Sequence, residues 1–196
     1  MVAYVIIPGI DGSDRHHWQT LWERQWNRSA VRIRPASWSR PDLDDWVSAV
    51  DVAYTAAAGQ DDRVALVAHS LGCWAAACWL DRHPSAKVAG ALLAAPPDPH
   101  GPAFPRQEAS TFLAVTAQPL PCPALVIAST DDPYCGPQQA ADLAAAWGAD
   151  QHVVGAHGHL NSASGLGTWP HGRDLLSALL DDGPSLTRHR HAEPRP

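Results

Sequence analysis

Apolar positions along this chain fall into short runs, and the stretches between them repeat their apolar residues at helical rather than strand spacing. Runs rich in Val, Ile and Leu beginning near Val2, Val31, Val64, Val88, Ala124 and His152 are too short for helices and read as strands. Their alternation with helical segments is the pattern of a mainly parallel sheet covered on both faces. After Ser13, an N-cap candidate, Trp18, Trp22 and Trp26 recur at intervals of four and lay three indoles on one helical stripe. Pro41 suits the first turn of the next helix, Trp46, Val50 and Ala53 share a face, and Gly59 can end it. Further helices are expected after Ser70, over 137–147 and over 171–180. Residues 96–123 are proline-rich with weak periodicity and read as a long excursion over the sheet with one short helix at most. From Gly183 apolar periodicity stops, so the expectation is one domain over 1–182 and a loose tail over 183–196.

Composition narrows the class. Of 196 residues 45% are hydrophobic and 17% charged, a balance that lets a chain bury a core. With 14 basic against 20 acidic residues the formal net charge is −6, which argues against a duplex nucleic-acid partner. The single lysine, Lys87, precedes Val88, so no Walker-type phosphate loop is present. No apolar run approaches the roughly 20 residues of a membrane-spanning helix, and the opening run lacks the basic start of a signal segment. Cys73, Cys78, Cys122 and Cys135 form no Cys-x-x-Cys pair and read as reduced thiols of a cytoplasmic protein.

The segment richest in chemistry is Arg63-Val64-Ala65-Leu66-Val67-Ala68-His69-Ser70-Leu71-Gly72-Cys73-Trp74, where a buried strand runs straight into Ser70 and a helix starts just after it. That is the context of a nucleophile elbow, whose tight turn needs small residues two positions either side of the serine; Ala68 stands where glycine is usual, and Gly72 fits. A serine hydroxyl needs a base to take its proton and an acid to orient that base, and on such a sheet the three follow in the order Ser, acid, His. The run Ala124–Ala128 leads into Asp131-Asp132-Pro133, and the run around His152 leads into His157-Gly158-His159. Asp132 is preferred to Asp131 because Pro133 fixes the turn after it, and His159 to His157 because Gly158 frees the loop to present the ring. For the oxyanion of a tetrahedral intermediate, the backbone N–H of Leu71 and of Ile10, in the loop Pro8-Gly9-Ile10-Asp11-Gly12, are the candidate donors. That loop also reads as a plain strand-to-helix turn.

Several motifs taken together resemble one family: Pro8-Gly9 with Ser13 and His17-Trp18-Gln19, then His69-Ser70-Leu71-Gly72, Ala95-Pro96, Ser129 with Asp132-Pro133-Tyr134, Gly158-His159-Leu160-Asn161, Gly165-Leu166-Gly167 and Trp169-Pro170. Over most of residues 2–182 the chain is similar to the small α/β-hydrolases of the retinoblastoma-binding serine hydrolase and YdeN group. The resemblance implies a three-layer α/β-hydrolase-like sandwich of about six mainly parallel strands without a large cap. It also implies a triad mapping onto Ser70, Asp132 and His159, and serine hydrolase activity without a cofactor.

The resulting expectation is an enzyme that cleaves a small-molecule ester or amide through an acyl-enzyme on Ser70, in an open, shallow site. The acyl group should be small and uncharged, because the pocket walls, drawn from the proline-rich excursion, the first helix and Trp169, are apolar or neutral. His17 reads either as a pocket residue or as packing at a helix start. A non-catalytic binding protein on the same fold is the alternative. Zinc ligation by His152, His157 and His159 is a further one, weakened by the lack of a helix-borne His-Glu-x-x-His.

Overall fold

The computed structural model describes residues 1–181; the segment expected to be a loose tail lies outside the described residues. Six strands, β1 (Ala3–Ile7), β2 (Ala30–Arg32), β3 (Val64–His69), β4 (Val88–Ala94), β5 (Ala124–Ala128) and β6 (Asp150–Val153), form one parallel sheet in the order β2-β1-β3-β4-β5-β6. Alternation along β3 shows how the layers are built. Val64, Leu66 and Ala68 face one core, filled by α2 (Leu43–Ala58), α3 (Leu71–Arg82) and α4 (Pro137–Trp147), while Ala65 and Val67 face a second, filled by α1 (Trp18–Trp26) and α5 (Pro170–Asp181). This is the α/β-hydrolase architecture. The excursion after β4 carries a single 3-10 turn, Ser110–Phe112, and packs Phe104, Ala109 and Phe112 back onto the first core. No large cap is inserted among the described residues.

Two local expectations are corrected. Ser13 does not cap α1: the turn at 14–17 is tied by Asp14, whose carboxylate accepts the N–H of His16 and His17, so the cap passes to His17, whose Nδ1 accepts from Gln19 N–H. Ser13 instead donates its hydroxyl to Gln19 Oε1 at 2.6 Å. Pro41 lies two residues before α2, which begins at Leu43 with Asp42 as its N-cap. The tryptophan stripe is core: Trp18 and Trp22 are fully buried, and Trp26 stacks on Tyr4 with ring centroids 3.8 Å apart.

The chain leaves β1 toward β2 on one side and places β3 on the other, so a crevice opens at the carboxyl ends of β1 and β3. Buried Gln19 closes its floor, donating from Nε2 to Ile7 O and Val67 O and so satisfying carbonyls of both strands. The first turn of α3 lies so close to the end of β1 that a Cβ on Gly72 would sit 2.4 Å from both Ile7 O and Pro8 O. Backbone atoms cannot yield as a flexible side chain can. Gly72→Ala is expected to lower the unfolding free energy by about 2–3 kcal/mol in a urea titration; a loss below about 0.5 kcal/mol, the scatter of an ordinary surface change, would contradict the reading of this contact.

Candidate active site

Ser70 follows the last residue of β3 and precedes the first of α3, with φ 54 and ψ −129. A non-glycine residue in that region is strained. The turn is held from both sides, Ser70 N–H donating to Ala94 O at 2.9 Å and Cys73 N–H to Ser70 O at 2.9 Å. Gly9 completes the fit, since a Cβ there would lie 2.7 Å from Ser70 Cβ. The serine hydroxyl is therefore delivered against the loop after β1.

The other two predicted residues arrive from separate loops. Ser70 Oγ–H donates to His159 Nε2 at 2.8 Å, and His159 Nδ1–H meets the Asp132 carboxylate at 2.9 and 3.0 Å. Asp132 also accepts the N–H of Tyr134 at 2.9 Å, which fixes its plane through the turn at Pro133. Asp131 points elsewhere: its carboxylate accepts from Ser129 Oγ at 2.8 Å and Gly158 N–H at 2.7 Å, and these bonds hold its pKa below the usual carboxylate value. It braces the histidine loop without touching the ring. His157 takes no part, its N–H donating to Ser129 Oγ. The three histidines weighed as zinc ligands do not converge: His152 Nε2 lies 3.1 Å from His171 Nε2, and among the described residues no group of three or more His, Cys, Asp or Glu is placed to hold a metal ion.

A cleft of about 500 Å³ lies over this array, lined by Ile10, Leu71, Pro97, Pro105, Tyr134 and Asn161 among others. Leu71 is the first residue of α3, so its N–H has no partner within the helix. At its floor Ser70 and Asp132 are buried and the His159 side chain is 10% exposed. His17 lines the cleft. Trp169 does not, which corrects its placement as a pocket wall. Its ring packs 4.9 Å from Trp18 and 5.9 Å from Trp22 beneath the site, because Gly172 one turn into α5 lets the indole lie flat against the helix.

Two contacts of the site are announced by no sequence motif. His69 was read only as part of the elbow, yet its Nε2–H donates to the backbone oxygen of His159 at 2.8 Å, and Trp18 Nε1–H donates to Leu160 O at 2.8 Å. Both tie the histidine loop to the core. Period two along β3 was the available signal, since it turns His69 to the face that holds α1.

A serine hydrolase family model matches residues 4–178. The chain belongs to the serine hydrolase family. Among solved structures, this serine hydrolase is similar to a YdeN-like hydrolase from Pectobacterium atrosepticum, at 31% identity over 93% of this chain and 92% of the other, with a TM-score of 0.78. The ydeN gene product of B. subtilis is 22% identical over 91% of this chain and 97% of its own, with a TM-score of 0.67. Est1E from Butyrivibrio proteoclasticus, solved with ferulic acid bound, shares the fold at 11% identity over 93% and 88%, with a TM-score of 0.66. No curated protein matches the sequence.

Burial makes two of the site's histidines poor bases. It pushes His69 well below the ordinary value and His17 down from 6.5 to about 4. Such rings stay neutral in the folded serine hydrolase while the unfolded chain takes up protons near pH 6.5, so their effect is to remove stability as pH falls from about 6.5 to about 4. The gap in unfolding free energy between wild type and His17→Asn is expected to narrow by on the order of 3 kcal/mol between about pH 7 and pH 4. Denaturant titrations at both pH values check this, and a pH-independent gap would contradict it.

Proposed function

We propose that this serine hydrolase cleaves a small-molecule ester or amide through an acyl-enzyme on Ser70, with His159 as the general base and Asp132 as the group that orients it. The observation that carries the reading is the unbroken hydrogen-bond line from Ser70 Oγ through both ring nitrogens of His159 to Asp132. His159 Nε2 takes the hydroxyl proton as Oγ attacks the substrate carbonyl. The oxygen that gains charge is met by the N–H groups of Leu71 and Ile10, the first positioned by the start of α3 and the second by the Gly9 approach. Collapse breaks the bond to the leaving group, which receives the proton from His159, and leaves the acyl group on Ser70. A water, deprotonated by the same nitrogen, then attacks the ester and regenerates the serine. Asp132 steadies the imidazolium in both halves without itself taking the proton.

Every step uses side chains and backbone N–H groups, so no cofactor enters this scheme. The cleft sets Ile10, Leu71, Pro97 and Pro105 beside Ser70, and Asp11 and Asp14 but no Lys or Arg line it, which supports an acyl group without negative charge. The four unpaired cysteines support a cytoplasmic catalyst, and two cores on one shared sheet support a single domain over 1–182; no described helix is long and apolar enough to cross a membrane.

With p-nitrophenyl acetate as substrate, Ser70→Ala is expected to lose at least about 10⁴-fold in kcat and to escape labelling by a fluorophosphonate while melting like the wild type. Asp132→Asn should lose about 10³–10⁴-fold, since it destabilises the tautomer that accepts the serine proton, whereas Asp131→Asn should stay within about tenfold of wild type. Wild-type turnover by Ser70→Ala, or equal losses at the two aspartates, would overturn the assignment.

A further inference from the structure

Tyr134 is a residue of the cleft whose side chain the mechanism leaves unused. Its ring lies against that of His159, with centroids 4.4 Å apart. The backbone that carries it is pinned on both sides: Tyr134 N–H donates to Asp132 Oδ1 at 2.9 Å, and Tyr134 O accepts the N–H of Asp98, from the excursion after β4, at 3.1 Å. Pro133, with its fixed φ, precedes it, and buried Cys135 follows. The ring therefore stands on a stretch of chain with little freedom. One residue touches both partners in the relay, the acid through its N–H and the base through its ring.

The bonds that hold His159 do not last through turnover. Before reaction the ring is fixed at both nitrogens, Nε2 by Ser70 and Nδ1 by Asp132. Once Oγ carries an acyl group it has no hydrogen to donate, and Nε2 loses that partner. Deacylation then makes its demand on this nitrogen: Nε2 must take a proton from a water as the water oxygen bonds the acyl carbon, and return it to Oγ as the ester bond breaks. A ring held at Nδ1 can tilt about that point, and a misplacement of about 1 Å costs on the order of 10²-fold in rate. Two neighbouring rings remain, His69 with its centroid 5.1 Å away and Tyr134 at 4.4 Å. His69 is bonded to the backbone oxygen of His159 and so holds the loop. Tyr134 meets the imidazole itself.

We propose that Tyr134 is a positioning residue for deacylation, its ring keeping His159 in line while Ser70 is esterified. The inference rests on the acyl-enzyme reading and goes past it in giving the two half-reactions different supports. In acylation the bond from Ser70 aligns the imidazole; in deacylation the tyrosine ring does. Tyr134 neither takes nor delivers a proton, so a phenyl ring serves in its place.

The test times the two halves separately. With enzyme in excess over p-nitrophenyl acetate, acid quenching at successive times and intact-mass spectrometry follow the rise and fall of the acetyl adduct on Ser70. The chains compared are the wild type, Tyr134→Phe, Tyr134→Leu and Tyr134→Met; the last two keep apolar bulk at this half-buried position without a ring. In the Leu and Met variants the fall of the adduct is expected to slow by about tenfold, the loss of one aromatic contact, and its rise by less than about threefold. Tyr134→Phe should restore both rates to within about twofold of wild type. Equal slowing of rise and fall, an unchanged adduct lifetime, or a Phe variant as slow as the Leu variant overturns the proposal while the wild-type adduct leaves the serine reading standing. Failure of both ringless chains to fold overturns it too, since the ring would then serve the fold and not the base. A wild type that forms no adduct on Ser70 overturns the acyl-enzyme reading, and the proposal with it.

Discussion

The close approach of the first turn of α3 to the end of β1 is the constraint on which the rest of the site depends. Gly72 lets the helix start directly over Ile7 O and Pro8 O, and Gly9 lets the loop after β1 press against Ser70. A methyl group at either position would separate the two. Because the elements meet, the strained backbone of Ser70 is enclosed on all sides, which is what allows a residue to persist at φ 54. The same contact sets the start of a helix and a glycine-containing loop around one point, where backbone N–H groups can converge on a charge that forms during reaction.

A second requirement follows from the fold. The base rides on a loop after β6, the sheet's far edge, and must be carried back over two strands to the centre. The loop is held there by hydrogen bonds from three elements: His69 of β3 and Trp18 of α1 donate to His159 O and Leu160 O from one side, and Ser129 and Asp131 in the loop after β5 accept the N–H groups of His157 and Gly158 from the other. The aromatic stripe of α1 thereby has two roles, filling the second core and anchoring the base. Burial that keeps His69 and His17 neutral matters electrostatically as well, since a positive ring beside His159 would disfavour the imidazolium that the reaction forms.

How legible this was in the sequence depended on whether the governing signal was local. The six strands and the span of α4 follow from short-range patterning, with Pro137 opening α4 and Gly148 closing it in the left-handed region. The elbow was legible for the same reason: strand, serine, glycine and helix are contiguous. The cap of α1 was misread because Ser13 and Asp14 are both good caps in isolation, and only the turn that Asp14 ties shows that the helix starts four residues later. Trp169 was misplaced because an indole near a catalytic loop serves equally well as wall or as core, and Gly172, which lets it lie flat, acts from the next turn of α5. The His69 bond to His159 O spans ninety residues: period two along β3 gives the face to which His69 turns, and the partner that it meets there depends on the path of a loop far along the chain.

Turnover by this route requires that one serine, Ser70, become covalently acylated. Acid-quenched intact-mass spectrometry of the wild type, taken within the first turnovers of a p-nitrophenyl ester and followed by peptide mapping, tests it most directly. A mass increase equal to the acyl group, confined to the peptide that contains Ser70, is expected. Steady hydrolysis without any adduct, or an adduct mapped to another residue, would contradict it.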